Sequence, residues 1–68
     1  MKYAVVIEKA PNNYSAYVPD LPGCIAAAET LPEVETLIQE AIGYHLEMMR
    51  EYGDPIPEPQ AAVRLVEV

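Results

Sequence analysis

A chain of 68 residues with a net charge of −7 and 51% hydrophobic residues holds one domain at most, expected to span the whole of 1–68. A domain of this size buries only about 60% of the surface its unfolded chain exposes, so its core is small and self-association is a common remedy. Eleven acids against Lys2, Lys9, Arg50 and Arg64 repel phosphate, which argues against direct nucleic-acid binding. No segment approaches the roughly 20 apolar residues of a membrane span. The N-terminus lacks the apolar core and cleavage site of a signal peptide, so a cytoplasmic protein is expected. Cys24 is the single cysteine and cannot form an internal disulfide or a cysteine-based metal site.

Residues 2–8 read as a strand, carrying Val5, Val6 and Ile7 without a breaker. Ala10-Pro11-Asn12-Asn13 is turn chemistry. A second strand follows over 14–18, with Tyr14, Ala16 and Val18 on one face, and the short turn makes the two an antiparallel hairpin. Pro19-Asp20-Leu21-Pro22-Gly23 forms a rigid turn, and the small apolar residues 24–28 make a third strand.

The strongest local pattern comes next. Thr30-Leu31-Pro32-Glu33 fits a capping box with proline in the tolerated first turn. Apolar residues then recur at helical spacing from Leu31 through Val34, Leu37, Ile38, Ala41, Ile42, His45, Met48, Met49 and Tyr52, and Gly53 supplies a stop. The spacing predicts a helix over 31–52, about 33 Å long at about 1.5 Å per residue. Residues 53–60, with alternating prolines, form an extended connector to a last strand over 62–68.

The order β-β-β-α-β predicts an α/β (α+β) fold: a four-stranded mixed sheet, one long helix on one face, and the fourth strand parallel beside the first through a right-handed crossover. At 100° per residue the helix is apolar over roughly 200°, where one sheet needs little more than 100°. A homodimer or higher oligomer would cover the surplus.

Tyr14-Ser15-Ala16-Tyr17-Val18-Pro19-Asp20-Leu21-Pro22-Gly23-Cys24 resembles the N-terminal domain of HicB-type antitoxins. The resemblance continues through Glu29-Thr30-Leu31, Ala41-Ile42, His45-Leu46-Glu47 and Gly53-Asp54-Pro55-Ile56-Pro57-Glu58-Pro59. It implies a partial RNase H-like fold and a HicA-type toxin partner, a small protein that cleaves messenger RNA with a histidine and is neutralised when its RNA face is covered. Many such antitoxins also carry a C-terminal DNA-binding domain. These 68 residues leave no room for one, so repression of an operon by this chain alone is not expected.

Candidate chemistry is sparse. His45, near the centre of the apolar stripe, reads as a neutral core histidine hydrogen-bonded against the sheet rather than a catalytic base. Cys24 reads as a buried, inert thiol. The carboxylate cluster that an RNase H-like nuclease needs is missing, since Glu8 and Glu67 stand at the ends of their strands. No enzyme activity, metal or cofactor is expected. Asp20 has two readings, a ligand for turn amides or a contact for a cationic partner. Glu33, Glu40, Glu47 and Glu51 line the helix's polar face, either as solvated charge or as an acidic patch for a basic toxin. The functional expectation is an antitoxin-like protein-binding module; the alternative is an orphan homo-oligomeric scaffold or adaptor with no toxin.

Overall fold

Ala10-Pro11-Asn12-Asn13 reverses the chain as its composition predicts: the Ala10 N–H donates to the Asn13 carbonyl at 2.9 Å. In the computed structural model, which describes residues 1–68, this turn joins β1 (Val6–Lys9) to β2 (Tyr14–Tyr17). The two pair antiparallel, with Val6 opposite Tyr17 and Lys9 opposite Tyr14. β3 (Ile25–Ala28) pairs antiparallel on the other side of β2, with Ala16 opposite Ala26. β1 begins later than the pattern suggests because its partner runs out. Beyond Tyr17 the Val18 N–H is given to the Cys24 carbonyl at 3.2 Å, and Pro19 has no N–H to offer.

The Pro19–Gly23 turn is held by Leu21 N–H to the Val18 carbonyl and Cys24 N–H to the Leu21 carbonyl, both at 3.0 Å. Gly23 sits at φ +86°, where a side chain would be strained. This geometry folds Leu21 inward until none of it is exposed. The turn is thus part of the core as well as a connection.

The helix α1 (Leu31–Tyr52) has the predicted bounds. At its start the Glu33 N–H donates to Thr30 Oγ1 at 3.3 Å, and the Thr30 hydroxyl donates to Glu33 Oε1 at 2.7 Å. The glutamate therefore accepts from the threonine's hydroxyl, where a reciprocal capping box would use its backbone N–H. At its end Gly53 adopts φ +72° and gives its N–H to the Arg50 carbonyl. The Asp54 N–H reaches the Met49 carbonyl at 2.8 Å, completing a Schellman stop.

α1 packs on β2 and β3 and leaves β1 uncovered. The core is Ala16, Val18, Leu21, Cys24, Val34 and Ile38, with Tyr3, Val5, Ile42, Leu46 and Met49 packed round it. Fully burying a side chain the size of Leu21 or Val34 stabilises by about 1.5–3 kcal/mol. Directly opposed residues share a face of an antiparallel sheet. Ala16 faces the helix, so Val6, Tyr17 and Ile25 form a row on the other, open face.

The expected fourth strand does not form. The sheet has three strands in the order β1-β2-β3, all antiparallel rather than mixed. Residues 62–68 are in no strand and are exposed throughout. Two features explain this. The segment is apolar at both alternations, Val63 and Leu65 on one side, Val66 and Val68 on the other. A strand beside β1 would find no helix above it, because α1 lies over β2 and β3. With three strands and one helix, the RNase H-like part of the expectation is not met.

Candidate partner-binding surface

Glu33, Glu40, Glu47 and Glu51 are spaced so that, at about 100° per residue, all four fall within roughly 40° of arc on α1. They are exposed, and the buried Val34 and Ile38 lie on the opposite side of the helix. The fold brings these four glutamates into one acidic stripe along a rigid element. Glu33 is partly committed, since it also accepts the Thr30 hydroxyl. Gly43 lies beside the stripe, and a Cβ built there meets nothing within 4 Å.

Asp20 belongs to a different element and has a different task. Its Oδ2 accepts the N–H groups of Gln60 and Ala61, each at 3.1 Å. The ligands are backbone amides, as a turn aspartate would seek, but they come from the connector and not from the turn. A second tie was not foreseen from the sequence: the Tyr3 hydroxyl donates to the Pro57 carbonyl at 2.6 Å. Tyr3 reads from the sequence only as part of the first strand and Pro57 only as part of the connector, and no local signal pairs them.

Leu37, Tyr44 and Met48 flank the acidic stripe and are exposed, as is Tyr52 near the helix end. The surplus apolar arc read from the sequence is therefore open surface in the single chain.

The residues considered for chemistry lie elsewhere. Cys24 is 3% exposed, and loss of solvent raises its thiol pKa above the usual value of 9.0. His45 is half-buried beside Pro22, Met48, Met49 and Tyr52, without the expected hydrogen bond to the sheet. Its place over the β2–β3 turn, beyond the strand ladder, accounts for that. No three His, Cys, Asp or Glu side chains converge on a point where an ion would sit. No helix is long and apolar enough to cross a membrane.

Residues 3–67 match the family described as HicB-like antitoxin of bacterial toxin–antitoxin system. The chain belongs to the HicB-like antitoxin family. Among relatives in this family's neighbourhood, an uncharacterised 14.9 kDa protein of the rep-hol intergenic region of Haemophilus phage HP1 is 41% identical over 58 residues. That alignment covers 85% of this chain and 44% of the phage protein, so the chain spans less than half the length of that relative. A UPF0150 protein of Archaeoglobus fulgidus is 42% identical over 55 residues, covering 79% of this chain and 80% of the archaeal one. Among solved structures, a chain of the complex titled HicA3 and HicB3 toxin-antitoxin complex is similar, with a TM-score of 0.74 and 30% identity. The similarity covers 87% of this HicB-like chain and 70% of that one.

Proposed function

We propose that this HicB-like chain is a cytoplasmic protein-binding module that neutralises a basic HicA-type toxin by covering its RNA-binding face. The observation that carries the reading is the acidic stripe of Glu33, Glu40, Glu47 and Glu51, displayed on one face of a rigid helix in a member of an antitoxin family. Carboxylates at regular spacing take the place of RNA phosphates on a cationic surface, and the helix carrying them blocks access. The likeness to a chain from a toxin–antitoxin complex supports the same reading. In it the chain acts by binding and performs no chemistry of its own. Asp20 contributes at the margin through its second carboxylate oxygen.

The test is co-expression of the tagged chain with the small basic reading frame adjacent to its gene. A stoichiometric complex in which the neighbour's messenger-RNA cleavage is silenced is the expected result. The triple substitution Glu40→Lys, Glu47→Lys, Glu51→Lys is expected to weaken that complex at least about tenfold, since each reversed charge faces a cation. A basic neighbour that cleaves RNA and is neither bound nor silenced sinks the proposal. The second reading, a scaffold without a toxin, draws on the exposed Leu37, Tyr44 and Met48; it predicts that the chain is recovered with copies of itself alone.

A further inference from the structure

One group of donor atoms on α1 has no part in the toxin-binding reading. The chain has three methionines, and two of them are Met48 and Met49. They stand three and four residues after His45. At that spacing helical side chains are neighbours, with about 5–6 Å between Cβ atoms. At about 100° per residue the two methionines fall on either side of the histidine. Side chains on a helix slant toward its N-terminus, so both thioethers are directed back over the turn that carries the imidazole. His45, Met48 and Met49 line one depression, with Pro22, Tyr52 and Asp54 around them. Its frame is fixed by backbone bonds. Pro22 belongs to the turn held by Leu21 and Cys24, and the Asp54 N–H is tied to the Met49 carbonyl at 2.8 Å. His45 and Met49 are half-buried and Met48 is exposed, which leaves one side of the depression open to solvent. The imidazole takes no part in the side-chain hydrogen bonds of the fold, so no protein donor competes for its nitrogen lone pair.

We propose that His45, Met48 and Met49 bind a soft monovalent metal ion, Cu(I), through one imidazole nitrogen and two thioether sulfurs. The donor set selects the ion. Neutral, polarisable thioethers suit Cu(I). Calcium and magnesium need several oxygen ligands, and zinc takes four nitrogen, thiolate or carboxylate ligands. A single imidazole and a single carboxylate beside two thioethers meet neither requirement. The thioethers have no proton to release, so entry of the ion does not wait on deprotonation as it does at a thiolate site.

The surroundings favour a cation. Asp54 stands in the wall of the depression, and the net charge of −7 draws cations to the chain as a whole. Cys24, the other soft ligand of the chain, is sealed in the core at 3% exposure and takes no part. His45 lies roughly 140° round the helix from the middle of the acidic stripe. The metal site is thus distinct from the proposed toxin surface, and its test needs no toxin.

The experiment is a titration of the full chain, with isotope-labelled methionine methyl groups, by Ag(I), a stand-in for Cu(I) that air does not oxidise. Competition for Cu(I) against a chromophoric chelator without oxygen then gives the affinity. The Met48 and Met49 methyl resonances and the His45 ring are expected to shift together and to saturate at one ion per chain. Met1, 72% exposed elsewhere on the chain, is the internal control and is expected to stay in place. Met48→Leu and Met49→Leu conserve volume and are swaps that a core tolerates. Each is expected to weaken Cu(I) binding by at least about tenfold, since loss of even an outer-shell partner costs about 10–100-fold. Circular dichroism checks that each variant is folded, and Met48→Leu, at a side chain 51% exposed, decides the matter should the Met49 variant unfold. Equal shifts at Met1, or undiminished affinity in Met48→Leu, overturns the proposal. So does loss of binding in a folded Cys24→Ala variant, which would assign the ion to the core thiol, and so does Zn(II) that shifts the same methyl groups with equal affinity.

Discussion

One carboxylate oxygen of Asp20 ties down the Ala61 backbone N–H at 3.1 Å across 41 residues of sequence, and takes the Gln60 N–H at the same distance. Together with the Tyr3–Pro57 bond, this fixes the proline-rich connector against the end of the sheet where the β2–β3 turn and the helix terminus meet. These bonds act beside the partial burial of Ile56, Pro57 and Pro59.

Asp20→Ala is accordingly expected to free the connector while sparing the sheet. Hydrogen bonds to an ionised acceptor contribute about 1.5–3 kcal/mol when well shielded. Asp20 is only half-buried, so a loss near about 1 kcal/mol is expected. Amide hydrogen exchange is the decisive reading. Protection at Gln60 and Ala61 falls, and protection in α1 stays. Equal loss of protection in the helix would show that the carboxylate supports the whole fold instead.

Leu21 makes a turn residue one of the two fully buried large side chains of the molecule, with Val34. Its side chain is fully buried beside Val34 and Ile38. Leu21→Ala removes that filling and leaves a cavity, at a cost of about 2–5 kcal/mol. Against a total stability of order 5 kcal/mol for a small domain, the expected outcome is a chain that is largely unfolded at room temperature. Urea titration followed by circular dichroism measures this. A midpoint shift equivalent to less than about 1 kcal/mol would mean that the turn collapses to fill the space.

The contrast between Leu21 and the last seven residues shows what a sequence can reveal. The helix was legible to the residue because its signals are local. Thr30 and Glu33 mark the start, the apolar spacing carries the body, and Gly53 ends it. The three strands were legible to within a few residues because turn chemistry brackets each one. The fourth strand was not, because strand formation needs a partner edge and a cover, and neither is written in 62–68 itself. The acidic stripe was readable as periodicity. The destination of Asp20 was not, because its two amide ligands lie 40 and 41 residues away.

Cys24 gives a pH dependence with a definite sign. Burial raises its thiol pKa above 9.0 in the folded chain. Above that pH the unfolded chain releases the proton while the folded chain retains it, so the unfolded state binds fewer protons and stability falls as pH rises. The contribution is fully present at neutral pH and is lost upward from about pH 9. Cys24→Ala is expected to flatten the alkaline limb of a stability–pH profile. A thiol reagent at neutral pH is expected to label the folded chain only at the rate of global unfolding. Rapid stoichiometric labelling under native conditions would contradict the burial.

Gly43 separates stability from partner binding. It stands in the middle of α1 beside Glu40 and Glu47, at a position where glycine costs about 0.5–1 kcal/mol relative to alanine. A Cβ there meets nothing within 4 Å in the single chain. Gly43→Ala is therefore expected to stabilise the isolated chain by up to about 1 kcal/mol, raising Tm by roughly 4–8 °C. Where a toxin seats on the acidic stripe, the added methyl stands in the path of its closest approach, so the same substitution is expected to weaken the complex. Opposite signs in a thermal melt and a titration would place the partner over the Glu40–Glu47 segment of the helix. A variant that is both more stable and equally well bound would move the partner off that segment and toward one end of the stripe.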